Sequence, residues 1–176
     1  MTSRIFKNRL VAVALFCMAM ATANAQESSM NELMAKSLGK LTQPTPEACL
    51  NCIAELKRID AMFPDSIQPK YQMALQCLSF SVTNPHHEQT ENVMMEAQQT
   101  IAQMEKMKNA DPSDICTLTG FLYMVRIVQD PAKNGQRYYL DVMQNYEKAL
   151  KINPNNHLAR QLQEKFFEGM QQAVGK

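Results

Sequence analysis

The chain has 176 residues, 18 basic against 17 acidic, with five glycines, 14 methionines and no tryptophan. A near-neutral balance without a basic stripe excludes the electrostatic footprint of a nucleic-acid or anionic-lipid binder. The scarcity of glycine, together with the lack of alternating β-branched runs, predicts helices rather than strands.

Residues 1–25 read as a cleaved secretory signal peptide. Arg4, Lys7 and Arg9 make a positive start, Leu10 to Met20 an apolar stretch too short to span a bilayer, and Ala23-Asn24-Ala25 a small-x-small cleavage site. Loss of those three cations leaves 15 basic residues against 17 acidic ones in residues 26–176, which form one domain. The expected location is the periplasm, possible further export included, with no stable membrane insertion after cleavage.

Apolar residues then recur at helical spacing almost throughout. A first helix is predicted from Glu27 to Leu41, with Met30, Leu33, Met34 and Leu38 on one side. Thr45, Pro46 and Glu47 supply an N-cap, a first-turn proline and a first-turn acid for a second helix reaching about Phe63. Pro64 and Pro69 bracket a turn before a third helix, KYQMALQCLSFSV. The fourth runs from about Glu88 to Asn109, and the fifth, capped by Ser113, from Asp114 to Val128. QDPAKNGQ is read as a turn in which Asp130-Pro131 stops the fifth helix and Asn134-Gly135 reverses the chain. The sixth helix begins at Arg137 and ends before NPNN, and a seventh covers His157 to about Ala173.

The punctuating prolines Pro64, Pro112 and Pro154 suggest stretched helix-pair units, longer than the period of about 34 residues of a tetratricopeptide repeat. NYEKALKINPNN resembles the second helix of such a repeat. Tyr146 and Ala149 stand at its aromatic and small packing positions, Pro154 at its end, and Gly120 at the small position of the preceding helix. The mature chain also resembles a group of small, secreted, tetratricopeptide-like proteins of Bacteroidetes without an assigned role, through Asp130, Pro131, Asn134, Gly135 and Tyr138. The resemblance implies an all-α, right-handed α-α superhelix of about three divergent helix pairs plus a C-terminal capping helix.

Chemistry-bearing residues are few. Cys49 and Cys52 form a C-x-x-C pair at the start of the second helix, but the strand that precedes a thioredoxin-type dithiol is missing. Cys52 continues through Leu56 on the buried stripe. Antiparallel folding about the Pro64–Pro69 turn brings Cys77 within one turn of Cys52, so Cys49, Cys52 and Cys77 are candidate disulfide residues, with free buried thiols as the bland reading. Met94, Met95, Met104 and Met107, with His86 and His87, offer soft and imidazole ligands, but half of these methionines follow the core stripe. No metal or other cofactor is expected.

Stacked helix pairs present the first helix of each pair to a concave groove. There Gln72, Gln76, Ser79 and Thr83 align on the third helix, and Thr119, Tyr123, Arg126 and Asp130 on the fifth. The resulting expectation is a non-catalytic module that binds a protein or peptide partner. A thiol-redox or disulfide-linked factor using Cys49 and Cys52, and a Met/His binder of metal or small ligand, are the rivals.

Overall fold

A computed structural model of the protein describes residues 26–174, the last two by backbone alone; the predicted signal peptide lies outside the described residues. Among the described residues there are seven α-helices, one short 3-10 turn and no strand. Helix α1 covers residues 26–38 and passes into the 3-10 turn Gly39–Thr42. It is followed by α2 (Pro46–Met62), α3 (Ile67–Thr83), α4 (Thr90–Met104), α5 (Pro112–Gln129), α6 (Pro131–Ile152) and α7 (His157–Val174).

Three of these helices start in one way. A Thr or Asp accepts a first-turn N–H and a proline follows at a position whose own missing N–H costs nothing. Thr45 accepts from Ala48 N at 3.2 Å, Asp111 from Ser113 N at 2.8 Å, and Asp130 from Lys133 N at 3.1 Å. Two predicted features are corrected by this rule. The cap of α5 is Asp111, not Ser113, which is buried and donates its hydroxyl to Ala149 O at 2.9 Å. Residues Pro131 to Gln136 are not a turn but the first turn and a half of α6, and Gly135 has no positive φ. Asp130 alone separates α5 from α6, ending one helix and capping the next.

Boundaries elsewhere shift for similar reasons. Helix α3 starts at Ile67, so Pro69 sits inside its first turn, where its missing N–H costs no intrahelical hydrogen bond. Helix α4 ends at Met104, five residues before the predicted end. Its apolar stripe runs out there, and tight i to i+3 bonds at Lys106, Met107 and Ala110 turn the chain toward α5.

Specific contacts fix the helix directions. Ser113 at the start of α5 meets Ala149 near the end of α6, and Arg126 near the end of α5 meets Glu91 at the start of α4, so both pairs are antiparallel. Asn156, just before α7, donates from Nδ2 to Ser113 Oγ (2.9 Å), Asp114 Oδ1 (3.2 Å) and Thr117 Oγ1 (3.1 Å), which sets α7 parallel to α5. Helix α5 packs on α3, α4, α6 and α7 and is the most enclosed element. Leu56 of α2, Leu78 of α3, Met94 of α4, Leu118 and Val125 of α5, and Val142 and Tyr146 of α6 are wholly buried in one continuous core. Each such side chain contributes roughly 1.5–3 kcal/mol of burial.

The closest approach is between α5 and α6. A Cβ placed on Gly120 would lie 2.8 Å from Tyr146 Cε1 and 3.2 Å from Asn145 Cβ, so only a residue without a side chain fits. Ala149 is buried nearby with Cys116 and Ala159 where α5, α6 and α7 meet, and Pro154 is exposed in the turn after α6.

Candidate functional site: a basic and aromatic cleft

The thiols are the most reactive groups of the chain. Cys49, Cys52, Cys77 and Cys116 are all free. Cys52 is buried and receives a weak hydrogen bond from Ser37 Oγ of α1 at 3.5 Å. Cys77 is buried near the Lys57–Glu96 pair that links α2 to α4, and no disulfide joins Cys49, Cys52 and Cys77. Burial raises the pKa of all four thiols, that of Cys77 to about 12. At Cys49 the negative charge of a Cys52 thiolate would raise it further. A thiol nucleophile acts as the thiolate, which this setting disfavours.

The histidines are divided. His86 is exposed, whereas the His87 ring stands T-shaped to Phe80 (5.3 Å between centroids) and accepts Gln89 N–H at Nδ1, 3.1 Å away. Met94 and Met104 are core; Met95 is exposed. Among the described residues no three His, Cys, Asp or Glu side chains cluster as metal ligands. No described helix is long and apolar enough to cross a membrane.

The groove residues Gln72, Gln76, Ser79, Thr119, Tyr123 and Arg126 are all half-buried. Helix α3 lies against α5, and burial, then the Asp114 charge on α5, raises the pKa of Tyr71 on α3 to about 12. The two polar stripes thus stand on adjacent helices. Thr119 and Thr83 spend their hydroxyls inside their own helices, on Ile115 O and Ser79 O.

Tyr123 and Arg126 join residues that were read as a separate turn motif. Because α6 starts at Pro131, Lys133, Asn134, Arg137 and Tyr138 stand on one face of its first two turns. With Gln98 of α4 and Leu122, Tyr123 and Arg126 of α5, they line a cleft of about 320 Å³. Tyr123 and Tyr138 stack with centroids 5.3 Å apart and planes at 23°, and the Arg137 guanidinium lies 4.9 Å from the Tyr138 ring centre. Arg126 Nη1 donates to both Glu91 oxygens at 2.9 Å, and Asn134 Nδ2 donates to Arg126 O at 2.7 Å. Asp130 and Pro131 start α6; they and Gly135 lie outside the cleft lining.

Lys133, Arg137 and Gln98 were missed. The signal was present as two cations four residues apart after a cap-proline start, but assignment of 131–136 to a loop concealed it. No protein-family model, curated protein or solved structure matches the chain.

Proposed function

We propose that the protein is a non-catalytic binding module, exported to the periplasm, whose helix pairs stack as tetratricopeptide repeats do and hold a protein or peptide segment along α3 and α5. The observation that carries this reading is the arrangement about α5. That helix is antiparallel to α4 and α6, parallel to α7 and packed on α3, as expected where the first helices of successive pairs line up. The contact of Gly120 with Tyr146 adds support, because it joins the two positions at which the repeat resemblance calls for a small and an aromatic residue.

The thiol reading has less support, since burial holds the thiols protonated. A photo-crosslinker at Gln76 or at Thr119, used in envelope extract, tests the proposal. The expected result is one partner captured from both positions and lost on Tyr123→Ala, with the helical circular dichroism unchanged. Absence of any specific capture at either position overturns the reading, and retention of the protein in the cytoplasm on cell fractionation removes its export.

A further inference from the structure

The cleft between α5 and α6 holds three cationic side chains with unequal commitments. Arg126 is fixed by Glu91 through Nη1 alone, so Nε and Nη2 have no hydrogen-bond partner among the described residues. Lys133 and Arg137 have no carboxylate of the described residues within ion-pair distance. Arg137 is nevertheless placed, because its guanidinium lies over Tyr138, whose other neighbour is Tyr123. Asn134 ties the first turn of α6 to the last turn of α5, so the cations are carried on two helices locked together.

Such a wall is organised before any ligand arrives. Gathering three cations against the single carboxylate of Glu91 leaves an excess of positive charge, whose cost a bound anion recovers. The dimensions limit what that anion is. About 320 Å³ lies at the low end of small-molecule sites and is far less than a folded partner occupies. The tyrosines already stack on each other, so no planar base fits between them. The remaining contacts are guanidinium, ammonium and amide groups, with Leu122 as the single aliphatic wall.

We infer that this cleft is a binding site for a compact, multiply charged oxyanion of the phosphate or polycarboxylate class, gripped by Arg126, Lys133 and Arg137. The site shares Tyr123 and Arg126 with the proposed partner groove but does not depend on that reading, because Lys133 and Arg137, which complete it, belong to α6.

Titration of the purified protein with sodium pyrophosphate, and separately with sodium citrate, tests the inference by amide and arginine Nε–H NMR at low and at physiological salt. The expected result is a saturable shift, for one anion or both, confined to Arg126, Arg137 and the amides of residues 133–138. Whichever anion binds identifies the class. In Lys133→Gln/Arg137→Gln the dissociation constant should rise about tenfold or more, with the thermal midpoint unchanged because both side chains are exposed. Glu91→Gln should leave binding intact or tighten it, since it removes the competing carboxylate. The inference is overturned by no saturable shift with either anion, by equal affinity in the double variant, or by shifts spread equally over other surface cations. It is overturned too if a glutamate-rich peptide saturates these residues while both small anions fail, which would make the cleft part of a macromolecular interface.

Discussion

The α2–α3 and α5–α6 hairpins are closed by opposite devices. Between α2 and α3 a charge is buried: Lys70 is only 6% exposed, and its ammonium reaches Asp60 Oδ1 at 2.6 Å and Pro64 O at 2.7 Å across the turn. Between α5 and α6 a side chain is missing: Gly120 admits the Tyr146 ring, and one residue, Asp130, makes the joint. The first hairpin depends on a long, flexible side chain finding two acceptors. The second depends on shape, and the hydrogen bonds of Asn156 with Ser113, Asp114 and Thr117 extend it to α7. An electrostatic closure and a steric one therefore fail differently, and each has its own rescue.

The largest expected effect is at the charged closure. Lys70→Met leaves Asp60 and the Pro64 carbonyl without their cation and should cost about 3–5 kcal/mol in urea denaturation followed at 222 nm. Asp60→Leu made in the same chain should recover much of that loss, because no half-buried charge then remains unpaired. Full additivity of the two changes would show that the pair does not close the hairpin.

Gly120→Ala comes next, at about 1–3 kcal/mol, since Tyr146 is wholly buried and its ring has no space to retreat. The rescue here is steric. The penalty should shrink in a Tyr146→Leu background and persist with Tyr146→Phe, because the close atoms are ring carbons and not the hydroxyl. An equal penalty in all three backgrounds would break the contrast between the hairpins.

These two closures were unequally legible in the sequence. Gly120 and Tyr146 stand out through a repeat-like spacing, and both partners lie on long periodic helices. Lys70 looks like any helix-start lysine, because its acceptors are set by the path of the chain through Phe63 to Ser66, which no periodicity encodes. The helices themselves follow from apolar spacing, and the Thr45–Pro46 start was recognised. The same dyad at Asp130–Pro131 was not, since Asn134-Gly135 carries the chemistry of a tight turn and outweighed it. Read as a loop, residues 131–136 leave Lys133 and Asn134 off the helix face they share with Arg137, and the cleft does not show in the sequence.

Gly135→Ala measures that correction directly, with a smaller effect of opposite sign. Nothing lies within 4 Å of an added Cβ, the backbone is helical, and the residue is inside α6. Replacement should stabilise the protein by about 0.5–1 kcal/mol, through higher helix propensity and a less free unfolded chain. A loss of stability would restore the turn at Asn134-Gly135. Gly120 and Gly135, fifteen residues apart, should thus respond to alanine with opposite signs.

The smallest effect separates the two ends of the molecule by pH. Asp114 sits at the start of α5, and burial, then the neighbouring Asp111 charge, raises its pKa; the hydrogen bond from Asn156 lowers it but does not offset the rest. A raised folded pKa means that the native state holds the proton more tightly than the unfolded chain. The contribution of Asp114 to stability is therefore complete below the unfolded value of about 3.9 and is lost as pH rises through the folded value. Asp114→Asn keeps an oxygen acceptor for Asn156 and never ionises. It should stabilise the protein at pH 7 by less than about 1 kcal/mol and give no gain near pH 3. The same exchange at Asp60 removes the acceptor charge that Lys70 requires and should lower stability at pH 7. Opposite signs for Asp60→Asn and Asp114→Asn at neutral pH are what a charge-closed α2–α3 hairpin and a charge-burdened start of α5 require. A shared sign would leave the two ends electrostatically alike, with Gly120 as their only difference.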